Sequence, residues 1–131
     1  MDAEKLKDAI ALSARIEHVF IATADAKATP HIAVAGPLAM KGELLGVSAW
    51  YCPQTLANIE NHRQISVAVW DKAADAGYQI IGRCEKIEDI AVMDGYSPKL
   101  EHAETFPQTE RQLLVRVENV FYFTQALHTD K

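Results

Sequence analysis

The sequence predicts a mostly β protein with a few helices: six antiparallel strands in a small barrel, an N-terminal helix, and a short helix between strands three and four. Three observations carry this expectation. Short β-branched and aromatic runs recur along the chain, of which Gln64-Ile65-Ser66-Val67-Ala68-Val69-Trp70 alternates at period two. The connections between the first strands are too short for crossover helices, which points to a meander and not to βαβ units. Closing a six-strand antiparallel set into a barrel removes exposed edges.

The elements follow in order. Glu4 to Ile16 reads as a helix, because Leu6, Ile10 and Ile16 share a face with Ala9 and Ser13. His18 to Thr23 is β-branched and aromatic and suits a buried strand. Asp25 to Pro30 is a polar turn, and His31 to Met40 is the second strand. Pro37 within it cannot donate a ladder hydrogen bond, so that part must be an edge or a bulge. Lys41-Gly42 is a tight turn before a third strand, Glu43 to Trp50. Tyr51 to Gln54 is a loop, and Thr55 is placed to cap a short helix from Leu56 to His62.

The fourth strand is the alternating run from Gln64 to Trp70, its Ile and Val side chains turned inward. After a polar connection, Asp71 to Ala76, a long strand runs from Gly77 to Ile87. Gly82 in its middle implies a bulge or a close approach to the backbone. Glu88 to Ala103 is expected to be helical in part, broken by Gly95 and Pro98, and Gln112 to Thr124 is the last strand. The tail after Gln125 is expected to fray. The whole reads as one domain, residues 1–131, long enough to bury a core without staples.

Composition excludes several function classes. The net charge of -5 and the scattered Lys and Arg residues argue against a nucleic-acid partner. No apolar run is long enough to span a bilayer, and the charged N-terminus lacks the apolar core of a signal peptide, so a cytoplasmic protein is expected. Two cysteines are too few for a disulfide framework; both are expected reduced, with Cys84 a core thiol. The five histidines His18, His31, His62, His102 and His128 share no metal-ligand spacing. No phosphate loop, dinucleotide fingerprint or nucleophile elbow is present, and no catalytic side chain stands out.

One segment is more specific. Ser48 to Val69 is a strand, a loop, a short helix and a strand that resumes at once, and it includes Asn58-Ile59-Glu60-Asn61 and Ile65-Ser66-Val67-Ala68-Val69. It resembles the flavin-phosphate segment of pyridoxamine 5'-phosphate oxidase-like split barrels. Val19 to Thr23 with Pro30 to Val34 is similar to the opening hairpin of that family. Tyr78 to Glu85, with its central Gly82, is similar to the family's long fifth strand. In this ordered set the resemblance covers residues 5 to 124.

The resemblance implies a homodimeric split barrel holding FMN between protomers. The flavin ring would lie along Ala33, Val34, Ala35 and Gly36 and along Ser48, Ala49 and Trp50, with the phosphate at Gln54 and Thr55. A helix start suits that group, since its N–H groups and dipole favour an anion. Relatives usually carry arginine or lysine at the positions of Ala33, Gln54 and Thr55, and here all three are uncharged. Arg83, Arg63 and Lys41 are candidate substitutes. The longer C-terminal part of the oxidase has no counterpart after Thr124, so the implied activity is that of a flavin-dependent oxidoreductase other than the oxidase itself. Two alternatives stand beside it. One is a split-barrel binding or interaction module that has lost flavin; the other is a haem-handling relative with His31 or His62 as axial ligand.

Overall fold

The structure, a computed structural model, describes residues 2–49, 53–93 and 108–126. Helix α1 spans Ala3–Ile16. Asp2 caps it by accepting hydrogen bonds from the Glu4 and Lys5 N–H groups at 3.0 and 3.1 Å. It ends at Glu17, whose N–H donates to the Ser13 carbonyl and whose left-handed backbone (φ 76) turns the chain out of the helix. Its buried face is Leu6, Ala9, Leu12 and Ser13, with Ile10 and Ile16 half-buried beside it.

The strands are β1 (Val19–Ala24), β2 (Pro30–Ala35), β3 (Leu38–Lys41), β4 (Leu44–Ala49), β5 (Gln64–Asp71), β6 (Ala76–Met93) and β7 (Gln108–Phe123). Helix α2, Pro53–Asn61, lies between β4 and β5. The strands form one sheet in the order β2-β1-β5-β6-β7-β4-β3, and every neighbouring pair is antiparallel.

There are seven strands where six are expected from sequence. The stretch His31 to Met40 is not one strand: it breaks at Gly36-Pro37 into β2, which pairs with β1, and β3, which pairs with β4. Pro37 has no N–H to continue the β1 ladder. The break has a topological consequence. β2 and β3 are the two edges of the sheet, yet two residues join them. Fully extended, the span from Ala35 to Leu38 is at most about 11 Å. The sheet must therefore curl until its edges meet. No ladder pairs β2 with β3, so the barrel stays open along this seam, a split-barrel form.

Two further expectations need correction. α2 opens at Pro53, so Thr55 is the third residue of the helix and not its cap. Proline is pre-organised for the first helical position, and that preference outweighs a capping threonine two residues later. Glu88 to Met93 is not helical; it continues β6, paired with β7 from Glu88 opposite Gln112 to Met93 opposite Gln108. A waiting ladder overrides weak helical propensity there. The remainder of that stretch, 94–103, and the tail from 127 lie outside the described residues.

The period-two reading of β5 holds: Ile65, Val67 and Val69 point inward and are almost fully buried. They meet Val19 and Ile21 of β1, Leu45 and Val47 of β4, Ile80 of β6 and Leu113 and Val115 of β7. α1 packs against β3, β5, β6 and β7, while α2 packs on β1 and β2 and sends Ile59 into the core. Cys84 is a buried free thiol whose burial pushes its pKa up, so it is a core residue; Cys52 lies outside the described residues. No described helix is long and apolar enough to cross a membrane.

Candidate functional site

The seam where the sheet edges meet gathers the segments singled out from sequence. Ala33, Val34 and Ala35 are on β2, Gly36 directly follows, and Ser48 and Ala49 end β4. These strands stand near opposite ends of the strand order, yet the Gly36 N–H donates to the Ser48 carbonyl at 2.9 Å. A Cβ on Gly36 would sit 3.3 Å from that same oxygen, so the absence of a side chain permits the approach. Trp50 lies outside the described residues.

β2 is two-sided. Ala35 turns into the core, while Ile32 and Val34 are 63% and 59% exposed. Val34 stands opposite Phe20 on β1, itself substantially exposed. An uncovered apolar strand beside a close backbone crossing is a surface on which a flat aromatic ring can lie.

α2 lies against β1 and β2, and its first residue, Pro53, follows the end of β4 at Ala49 by four positions. Gln54 is exposed and Thr55 is fully buried. The Thr55 side chain therefore packs inward, so that Gln54 is the residue of the pair at the surface. The Gln54 side chain is tethered: its Nε2 donates to Asn58 Oδ1 at 2.7 Å, and Asn58 Nδ2 donates to Thr23 Oγ1 on β1 at 3.0 Å. Asn58 and Thr23 are both buried. Sequence reasoning missed this pair, although an asparagine between Thr55 and Ile59 on the inner face of a short helix was a signal for it.

The site carries no formal charge of its own. Leu44 to Ile59 contains no charged residue, and neither does Ala28 to Met40 apart from His31. Strand pairing puts one cation near Ala49: Arg111 of β7, whose Nε is 3.2 Å from Asp89 Oδ1. The candidate substitutes lie on other elements. Arg63 sits beyond the far end of α2, Arg83 of β6 stands opposite Gln64 of β5, and Lys41 ends β3. The residues present thus suit a flavin ring but offer no charge of their own to a phosphate.

The two histidines considered as axial ligands lie on different elements. His31 is on β2 opposite Thr23, and His62 follows the C-terminus of α2, its N–H donating to the Asn58 carbonyl. His62 also borders an open groove of about 250 Å³, with Ala22, Thr23, Pro30, Ser66 and Ile81 among its other walls. Among the described residues no group of three His, Cys, Asp or Glu is arranged to hold a metal.

Comparison with known proteins agrees with the geometry. No curated protein matches the sequence. Solved structures share the fold. One is a pyridoxamine 5'-phosphate oxidase-related, FMN-binding protein from Nostoc punctiforme PCC 73102, with a TM-score of 0.65 and 8% identity over 98% of this chain and 87% of that one. A second is a protein from Clostridium acetobutylicum related to general stress protein 26, of the pyridoxinephosphate oxidase family, with a TM-score of 0.63 and 14% identity over 100% and 96%. A third is HupZ from Group A Streptococcus, with a TM-score of 0.59 and 20% identity over 100% and 99%. A family model, that of pyridoxamine 5'-phosphate oxidase, matches residues 4–122. With nearly the whole chain matched, this protein belongs to the pyridoxamine 5'-phosphate oxidase family.

Proposed function

We propose that this chain is a cytoplasmic, single-domain, FMN-binding protein that works as a homodimer in flavin-dependent oxidation or reduction. The observation that carries the reading is the seam, where Ala33 to Gly36 and Ser48 to Ala49 meet through the Gly36–Ser48 hydrogen bond. These are the segments along which the ring would lie. FMN binding by a protein of the same fold supports the cofactor.

When bound, the flavin supplies a ring that accepts or gives electrons. The chain's own residues position it. The β2 backbone and Val34 would cover one side of the ring, with Ser48, Ala49 and Trp50 beside it. The first turn of α2 at Gln54 and Thr55 would lie at the phosphate end of the flavin. No side chain is assigned a proton-transfer role.

The dimer reading rests on the outer sheet face. Val34, Phe20, Ala68, Gln79 and Phe121 form one row across β2, β1, β5, β6 and β7. Phe20, Val34 and Phe121 in that row are exposed, as is Ile32 on the same face of β2 as Val34. Exposed apolar side chains at both ends of this row suit a second copy.

The test is protein purified without added cofactor, examined by absorbance and mass spectrometry, with sedimentation at micromolar concentration. A yellow dimer releasing FMN is expected. Colourless protein that fails to quench added FMN overturns the flavin reading in favour of a binding module, and red-brown protein overturns it in favour of a haem-handling relative. A monomer overturns the dimer.

A further inference from the structure

We propose that this site does not select for the phosphate of its flavin and accepts riboflavin and FMN about equally well. The inference rests on the flavin reading above and deepens it. Three observations carry it. The first is charge. The two strand segments and the whole run from Leu44 to Ile59 hold no lysine or arginine, and Arg111, the cation that pairing brings beside Ala49, is engaged by Asp89. A phosphate dianion leaving water needs charge-assisted partners, and without them its desolvation offsets what backbone N–H groups return.

The second is the tether on Gln54. Its Nε2 is committed to Asn58, and Asn58 is 1% exposed and anchored on Thr23. The amide is thus held with its nitrogen turned toward the helix, with Oε1 as its free acceptor and one Nε2 hydrogen beyond the bond to Asn58. A carbonyl oxygen repels a phosphate oxygen. It accepts a hydrogen bond from a hydroxyl.

The third is complementarity. A helix start supplies N–H donors, and Gln54 supplies an acceptor beside them. A terminal ribityl hydroxyl can use both at once, because it accepts and donates. A fully ionised phosphate can only accept. The arrangement therefore matches the neutral end of riboflavin at least as well as the charged end of FMN.

The experiment titrates the cofactor-free protein with FMN and with riboflavin, read by quenching of flavin fluorescence, at about 50 and about 500 mM salt. The two affinities are expected within about threefold of one another, and the FMN affinity is expected to change less than about threefold with salt. A preference for FMN of about tenfold or more, or a tenfold loss with salt, overturns the inference and leaves the flavin reading intact. Binding of neither flavin overturns the flavin reading and the inference with it. Gln54→Lys should create a salt-sensitive FMN preference of about tenfold, tightening FMN and weakening riboflavin, which loses the Oε1 acceptor. Equal effects of Gln54→Lys on both flavins would show that the ribityl end lies elsewhere, and would overturn the inference.

Discussion

Asn58 of α2 and Thr23 of β1 join helix to sheet through a 3.0 Å hydrogen bond between two buried side chains. Asn58 also receives Gln54 Nε2, so one buried amide ties the start of α2 to the barrel. Thr23→Val removes the hydroxyl and leaves the Asn58 Nδ2 without this acceptor. A loss of about 1–3 kcal/mol is expected, the range for stranding a buried polar group. Asn58→Leu should lose a similar amount, whereas the double variant should lose clearly less than the sum. Urea unfolding of the four proteins measures this. Strict additivity would mean that the contact has no weight in solution.

Gly82 is closely packed in the long β6–β7 ribbon. A Cβ there would lie 2.5 Å from Val115 Cγ1 and 2.8 Å from the Arg116 carbonyl oxygen, where pairing shifts register between Ile81 and Gly82. Backbone cannot move aside as a flexible side chain can, so Gly82→Ala should destabilise by about 2–3 kcal/mol. Gly42 provides the contrast. It has open space around its Cβ position but φ +65, so Gly42→Ala should lose only about 1 kcal/mol, from strain alone. Thermal unfolding of both variants checks the ranking, and a milder effect at Gly82 would contradict the bulge.

How far the sequence spoke depended on whether local pattern or distant contact decided each element. β5 was legible because period-two alternation is a property of the strand itself, and Gly82 because a glycine inside a strand weakens it unless a bulge or a close approach needs the space. The break at Gly36-Pro37 was half-legible. Pro37 marked an irregularity, but only the return of β3 to β4 turns it into a change of partner. The extension of β6 through Met93 depends on β7, whose contribution is distant in sequence. For Gln54 and Thr55, the sequence did not separate the exposed residue from the buried one. Which of two adjacent helical residues faces the core is set by where the helix starts, and that start is Pro53.

Arg15 on α1 donates to Asp71 at the end of β5 at 2.6 Å, and the Asp71 side chain is buried while that of Arg15 is largely exposed. The Arg15 hydrogen bond is the main cause that holds the Asp71 carboxyl below its ordinary range, with the Ala73 N–H adding to it. A carboxyl depressed in the folded state stabilises at pH above its unfolded value, about 4, and that contribution fades as pH falls through the folded value. Asp71→Asn should therefore be less stable than the parent at neutral pH. The gap should narrow steadily below about pH 4 as the parent's Asp71 becomes protonated. Urea midpoints of both proteins from pH 7 down to about pH 3 measure it, and a gap that does not change with pH would mean the ion pair contributes nothing.

The seam itself can be tested with two substitutions of graded size. Gly36 does not have the left-handed backbone that would strain a side chain, and its added Cβ would stand 3.3 Å from the Ser48 carbonyl. In Gly36→Ala, a few tenths of an ångström of relaxation accommodates the methyl group, and the restricted unfolded chain returns about 0.4–1 kcal/mol. The net stability should therefore stay within about 1 kcal/mol of the parent. Gly36→Val adds branches that must press on β4, so the end of β2 should move away from Ser48 and the hydrogen bond between them should lengthen. A flavin ring lying across both strands feels that movement directly. The expected order of flavin affinity is parent, then Ala, then Val, with a loss of about tenfold or more at Val while circular dichroism still reports a folded β protein. Flavin affinities that do not change along this series, in proteins that remain folded, would place the ring away from the meeting of β2 and β4.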